Sequence, residues 1–256
     1  MNDPKTCGEG TAPNSFTQAE SAHNSTQTTS LCARIEHIAQ RIATARSGSD
    51  ATQETHILAV SKTVGAERLR AAFACGQRAF GESYLQEALP KQEALSDLAI
   101  EWHFIGPVQA NKTRPLAEHF AWVHSVDRLR IAERLSQQRP AELPPLNICI
   151  QVNIDREASK SGVLPEDLPA LAHSIASLPR LRLRGLMAIP RPTHDPAAQA
   201  DAFRRVRLLQ ESLCKEGLAL DTLSMGMSDD LESAVAEGAT WLRIGTAIFG
   251  ARPTSI

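Results

Sequence analysis

The chain has no apolar segment approaching the roughly 20 residues that cross a bilayer. Its apolar runs are short and broken by polar residues, so no membrane partner is expected. It has no block of lysine or arginine either. The 27 basic residues stand against 29 acidic ones, spread along the chain and not interleaved with aromatics, which argues against a nucleic-acid partner. Cysteine is sparse. Cys7, Cys32, Cys75, Cys149 and Cys214 are odd in number, far apart and in no C-x-x-C or Cys/His spacing; they predict no metal site, and free thiols in a reducing, cytoplasmic setting. Residues 1–29 lack arginine and an apolar h-region, and Phe16 is their one large apolar side chain after Met1. Their Ser, Thr, Asn, Gly and Pro content predicts a disordered tail and argues against a presequence, leaving 30–256 as the folded unit.

That unit alternates strands with helices. A first helix, 31–46, sets Leu31, Ile35, Ile38 and Ile42 on one face. Strands are expected at 56–62, 78–83, 100–106, 121–127, 146–154, 181–190, 222–228 and 241–250. Between them lie amphipathic stretches such as Leu168, Leu171, Ile175 and Leu178, or Phe203, Val206, Leu209 and Leu213. Helix starts are cued by Asn111, by Pro165 and by Asp229 with Asp230. Several strands are apolar on both parities, as parallel strands covered by helices are. Eight such units predict an α/β fold, a single-domain (β/α)8 TIM barrel with an extra N-terminal helix, with a doubly wound sheet as the alternative. No helix is expected after the last strand, so the helix at 31–46 would cover that seam, and no C-terminal β domain is expected.

Barrels of this kind place their chemistry at the carboxyl ends of the strands, with phosphate sites after strands seven and eight. The unusual residues of this chain fall there. Lys62 ends the first strand, Gly226, Met227 and Ser228 end the seventh, and Arg243 precedes Gly245 and Thr246 on the eighth. Arg243 shares a parity opposite to Leu242 and Ile244, so the strand can aim a guanidinium inward. Gly245 lets a phosphate approach the backbone, and Thr246, Ser228 and the N–H groups near Met227 add neutral donors. Lys62 could form a Schiff base with a phosphorylated aldehyde, either pyridoxal phosphate or a sugar phosphate. Three bland readings stand beside these. Arg243 could pair with a rim carboxylate, Gly245 could merely relieve crowding, and Lys62 could reach water.

The stretches AVSKT (59–63), FGESYLQEA (80–88), WHFIGPVQANK (102–112), QVNIDREASKSG (151–162), RGLMAIP (184–190) and LSMGMSDDLESAVAEGATWLRIGTAIFG (223–250) closely resemble, in order, the motifs of the pyridoxal phosphate homeostasis protein family. The resemblance implies a barrel like the N-terminal domain of alanine racemase, monomeric or loosely associated. It implies pyridoxal 5'-phosphate held by Lys62, its phosphate near Met227, Ser228, Gly245 and Thr246, and Arg243 facing the pyridine nitrogen. These six form the expected cofactor-binding set, with no catalytic residue and no metal. The function so implied is a carrier or buffer of the cofactor in intracellular vitamin B6 homeostasis, with apoenzymes as its acceptors, and not an enzyme. A racemase or decarboxylase is the alternative, and a Schiff-base aldolase a third reading. Racemisation needs acid/base groups on both faces of the cofactor, and the only tyrosine, Tyr84, follows strand two. Ser83 stands where the family commonly has asparagine. His103 reads as a satisfied core or rim residue, Asn111 as a cap and Lys112 as solvated. Asn153, Glu157 and Lys160 belong to a family motif that a loop salt bridge explains as well.

Overall fold

The computed structural model describes residues 15–48, 53–157 and 160–250, with side chains from residue 30 onward. Eight parallel strands close into a barrel in sequence order: β1 (His56–Val60), β2 (Ala79–Glu82), β3 (Glu101–Phe104), β4 (Trp122–Val126), β5 (Leu146–Val152), β6 (Leu181–Ala188), β7 (Thr222–Ser224) and β8 (Trp241–Ile244). The ring is sealed where β8 pairs with β1, His56 opposite Trp241 through Ala59 opposite Ile244. The helices are α1 (Ser15–Ser47), α2 (Ala66–Ala74), α3 (Leu85–Ala94), α4 (Thr113–His119), α5 (Leu129–Gln138), α6 (Leu168–Ala176), α7 (Pro196–Lys215), α8 (Leu231–Ala236) and α9 (Thr246–Phe249).

Strand parity sorts the interior into two environments. Ala59, Phe80, Val123, Ile148, Ile150, Leu186, Leu242 and Ile244 join the helices' apolar faces in one continuous core. Trp122, Cys149 and Met187 form a separate cluster from the alternate positions, inside the barrel. Among those alternate positions stand His103, His124, Ser224 and Arg243, all buried. The barrel's filling is thus aromatic and polar in part, in place of the branched aliphatic layers common in this architecture.

Several sequence expectations need correction. The strands are shorter than their apolar runs. Lys62 lies in a turn after Val60, and residues 226–228 lie beyond β7, where Gly226 at φ 91° leaves the extended region. A single turn, α9, follows β8 where 246–250 reads as strand. Asn111 caps nothing: it sits inside a 3-10 turn, Ala110–Lys112, and Lys112 holds the N-cap position of α4. The helix expected from Pro165 starts at Leu168.

Helix α1 does cover the β8/β1 seam, packing on α2, α8 and α9, and Leu31, Ile38 and Ile42 are buried as their spacing predicts. It starts at Ser15, well before Leu31. Once its apolar face fixes the helix, extension into a polar sequence costs only propagation. The rest of the expected tail, residues 1–14, lies outside the described residues. Free thiols are also corrected in part. Cys32 on α1 and Cys75 at the end of α2 are disulfide-bonded with Cα atoms 5.0 Å apart, because the packing of α1 on α2 joins residues 43 apart in sequence. Cys149 and Cys214 are free, and Cys7 lies outside the described residues.

Candidate functional site

Lys62 is half-buried at the barrel mouth, on a turn fixed from both sides. Before it, the Ser61 N–H donates to the Gly81 carbonyl at 2.9 Å, and the Ser61 hydroxyl donates to Glu82 Oε1 at 2.7 Å. Lys91 of α3 donates to both the Ser61 carbonyl and Glu82 Oε1, each at 2.8 Å. After it, Thr63 takes φ 64°, a left-handed conformation costly for a β-branched residue, and its N–H donates to Glu87 Oε2 at 2.7 Å. Strain of this kind persists only where surroundings over-determine it, and two carboxylates do so here. Glu82 is fully buried. Burial pushes its carboxyl pKa above the usual range, against the opposing pull of Lys91 and Ser61.

On the opposite side of the seam, Arg243 enters the barrel as its parity predicts. The rim-carboxylate reading fails for it. Nη1 donates to the Ser224 carbonyl at 2.6 Å and to the Ser224 hydroxyl at 3.0 Å, and Nη2 to the Ala188 carbonyl at 2.9 Å. All three acceptors are neutral, and burial lowers the guanidinium pKa to about 10. Gly245 follows with φ −112°. A Cβ built there would meet nothing nearer than Val60 at 3.5 Å, so neither backbone conformation nor crowding within the chain demands glycine. What its missing side chain leaves open is the backbone at the start of α9, where first-turn N–H groups have no intrahelical partner. Thr246 is exposed there.

The loop after β7 completes this end of the mouth. Gly226 is required by the chain itself, since a Cβ would stand 2.5 Å from Ala234 Cβ and 2.7 Å from Leu242 Cδ2. Ser228 is half-buried and Met227 exposed. The Met227 N–H, expected as an anion donor, instead donates to Asp230 Oδ1 at 2.6 Å. Arg41 of α1 holds the loop from outside, donating to the Ser228 carbonyl at 3.1 Å and to both oxygens of Glu232 at 2.7 and 2.9 Å. Arg34 of α1 reaches the Ile248 carbonyl at 3.3 Å. Across the mouth, a cavity of about 230 Å³ is lined by Ile105, Pro107, Gln151, Asn153, Lys160 and Ile189. Lys160 pairs with Glu157 at 2.8 Å, the loop salt bridge that the sequence allows.

The structure therefore brings Lys62, Arg243, Gly245, Thr246 and Ser228 to adjoining strand ends, and sets Met227 outward. Sequence reasoning missed Glu82, Lys91 and Arg41. For Glu82 a cue existed: a carboxylate in a strand whose other residues are small or apolar needs a cation nearby, and Lys91 follows on the next helix.

Fold and site together define a barrel of the alanine racemase type, and the family model described as alanine racemase, N-terminal domain, matches residues 34–253. A pyridoxal phosphate homeostasis protein of Pseudomonas aeruginosa is 63% identical over 223 residues, covering 87% of this chain and 96% of that protein. The one of Escherichia coli K12 is 53% identical over 206 residues, covering 79% of this chain and 88% of that one. PipY of Synechococcus elongatus PCC7942, solved with pyridoxal phosphate bound, is 40% identical with a TM-score of 0.73, covering 83% of this chain and all of that one. An alanine racemase of Clostridium difficile 630 shares the fold alone, at 10% identity and a TM-score of 0.68, with this chain covering 58% of its length. The chain belongs to the pyridoxal phosphate homeostasis proteins within the alanine racemase N-terminal domain family.

Proposed function

We propose that this chain binds pyridoxal 5'-phosphate at the barrel mouth and carries or buffers it in vitamin B6 homeostasis, without substantial turnover of a substrate. The relatives' name and the pyridoxal phosphate in the solved PipY structure support this reading. The observation that carries it is the pairing of a buried guanidinium that donates to neutral acceptors with a neighbouring glycine that nothing among the described residues requires. Together they leave a cation and an open stretch of backbone for a ligand with an acceptor ring atom and a phosphate.

In this reading Lys62 would hold the cofactor through its aldehyde carbon, as a Schiff base formed with loss of water, on a turn that Glu82, Lys91 and Glu87 keep in place. Ser228, Thr246 and the backbone from Gly245 hold the phosphate; Met227 contributes once its N–H leaves Asp230. When bound, the cofactor supplies an electrophilic carbon conjugated to an electron-withdrawing ring. Arg243 limits that withdrawal. A protonated ring nitrogen would set two cations in contact, so Arg243 would keep that nitrogen neutral and would donate to it.

The racemase reading needs a second acid/base group on the far face. Tyr84, the only tyrosine, is 51% exposed and follows β2, which gives it no such role. We place the protein in the cytoplasm as a monomer, with apoenzymes as the acceptors of the cofactor; among the described residues, no helix is long and apolar enough to cross a membrane. Purified protein supplied with pyridoxal phosphate is expected to be yellow, and borohydride reduction followed by peptide mass mapping to mark Lys62. Lys62→Ala should abolish both. A colourless protein, or a mark on another lysine, would defeat the reading, and chiral exchange of an L-amino-acid panel would move it to the enzyme class.

A further inference from the structure

A continuous file of buried hydrogen bonds crosses the barrel interior beneath Arg243. The Ser224 hydroxyl, which accepts from Arg243, lies 2.8 Å from His124 Nδ1. His124 Nε2 lies 2.9 Å from His103 Nδ1, and His103 Nε2 lies 2.7 Å from Glu101 Oε1. His103, His124 and Ser224 are completely buried, whereas the Glu101 side chain is 45% exposed at the N-terminal end of β3. The file therefore joins solvent at the barrel floor to the guanidinium below its mouth. Aromatic rings wall it: His103 stacks on Trp122 at 5.3 Å and meets Trp241 edge-on at 4.7 Å.

The chemistry of the end group orders every proton between. Glu101 is an acceptor, its carboxyl pKa held below the usual range by the hydrogen bond from His103. His103 Nε2 must then donate. Burial lowers the pKa of both histidines, His124 well below its usual range, so each ring is neutral and carries one proton. His103 Nδ1 consequently accepts, His124 Nε2 donates, His124 Nδ1 accepts, and the Ser224 O–H donates to it. The hydroxyl's remaining acceptor capacity faces Arg243. All bonds point the same way, from a cation to an anion.

We propose that Glu101 is a positioning residue that acts across the barrel, fixing the tautomers of His103 and His124 and the hydroxyl of Ser224 so that Arg243 is offered an oxygen lone pair and held beneath the mouth. Its consequence for the cofactor rests on the reading of Arg243 as the group facing the ring nitrogen. The relay itself does not, because it belongs to the chain without ligand. Reversing the end group should reverse the file. Lysine at 101 can only donate, so His103 Nε2 must accept, both histidines move their proton to Nδ1, and Ser224 Oγ is left to accept from His124 as well as from Arg243.

The test is ¹⁵N NMR of the imidazole and guanidinium groups in the ligand-free protein. Wild type should show both histidines protonated at Nε2. Glu101→Lys should shift both to Nδ1 and move the Arg243 Nη signals, while Glu101→Gln, whose amide oxygen still accepts, restores the wild-type pattern. Mixed tautomers at His124 in the wild type, or a Glu101→Lys variant in which His124 keeps its proton on Nε2, would overturn the proposal. Ser224→Ala supplies an independent check, since Glu101 acting through His103 should keep His124 protonated at Nε2 without the hydroxyl, and a mixed tautomer in that variant would place the control at Ser224 and overturn the proposal. By equilibrium dialysis, Glu101→Lys should loosen pyridoxal phosphate about tenfold, the scale of one weakened charge-assisted bond, and unchanged affinity beside reversed tautomers would refute the coupling to Arg243. If wild type takes up no pyridoxal phosphate at all, the proposed function falls while the tautomer pattern still stands or fails on its own.

Discussion

Replacing Lys91 by methionine is the perturbation whose outcome the structure specifies most fully. Lys91 is the cation that faces Glu82, a side chain with no solvent exposure, and its Nζ also donates to the Ser61 carbonyl. Among the described residues, Glu82 Oε2 already has no hydrogen-bond partner. Methionine fills similar volume and leaves the carboxylate with the Ser61 hydroxyl alone. Breaking a buried pair from one side costs about 3–5 kcal/mol, since an uncompensated charge stays behind. In a chain of this size that is a fall in Tm of about 6–20 °C.

The pH dependence carries a sign that distinguishes this cause from lost packing. Burial raises the folded-state pKa of Glu82 above its unfolded value, with Lys91 and Ser61 pulling the other way. Between those two values the folded state binds the extra proton, so stability falls as pH rises through the window. Removing Lys91 takes away a lowering influence and extends the window upward. In urea titrations followed by the fluorescence of Trp102, Trp122 and Trp241, Lys91→Met should therefore lose the full amount near pH 8 and regain part of it near pH 5. The double variant Glu82→Gln with Lys91→Met, which buries no charge, should be more stable than the single one. A deficit below about 1 kcal/mol, or an equal deficit at both pH values, would refute the reasoning.

The two glycines of the site should separate cleanly. Gly245→Ala has room for its Cβ, so stability should change by less than about 1 kcal/mol while pyridoxal phosphate binding weakens about tenfold; calorimetry and dialysis on one sample check both. Gly226→Ala meets a φ of 91° and contacts of 2.5 and 2.7 Å, and should lose about 2–4 kcal/mol by denaturant unfolding. Reducing the bond that closes the 43-residue separation between Cys32 and Cys75 should cost about 4 kcal/mol on chain-entropy grounds. Cys75→Ser should match the reduced wild type, and insensitivity of the melting temperature to reductant would show that the thiols are unpaired in solution.

Much of this architecture is legible in the sequence because it is written in short-range patterns. Parity alone sets Arg243 inside and Leu242 and Ile244 outside, and the spacing of Leu31, Ile38 and Ile42 marks a helix with one buried face. Positions of Lys62 and Gly245 followed from the rule that barrel chemistry gathers at strand ends. Strand limits were less legible. An apolar residue past the last ladder bond looks the same in sequence as one before it, and the left-handed conformations of Thr63 and Gly226, just beyond the ends of β1 and β7, have no counterpart in the apolar pattern. The Cys32–Cys75 pairing depends on how α1 lies on α2, which no local spacing encodes.

The polar file is illegible for a different reason. His103, His124 and Ser224 each sit on a separate strand, and each by itself reads as an isolated, satisfied polar residue. Their meaning comes from closure of the barrel, which turns them toward one another. A buried cation with no carboxylate hydrogen-bonded to it is ordinarily unfavourable, and the main-chain acceptors at Ser224 and Ala188, with the field of Asp230, only partly offset that. Four polarised bonds ending on Glu101 extend the compensation to a charge at the floor without placing that charge against Arg243. A carboxylate in direct contact would pair with the guanidinium and compete with any ring nitrogen for it. Holding the counter-charge at the far end of a file of neutral groups keeps Arg243 oriented and its remaining donors available, which is the condition a cofactor-facing arginine has to meet.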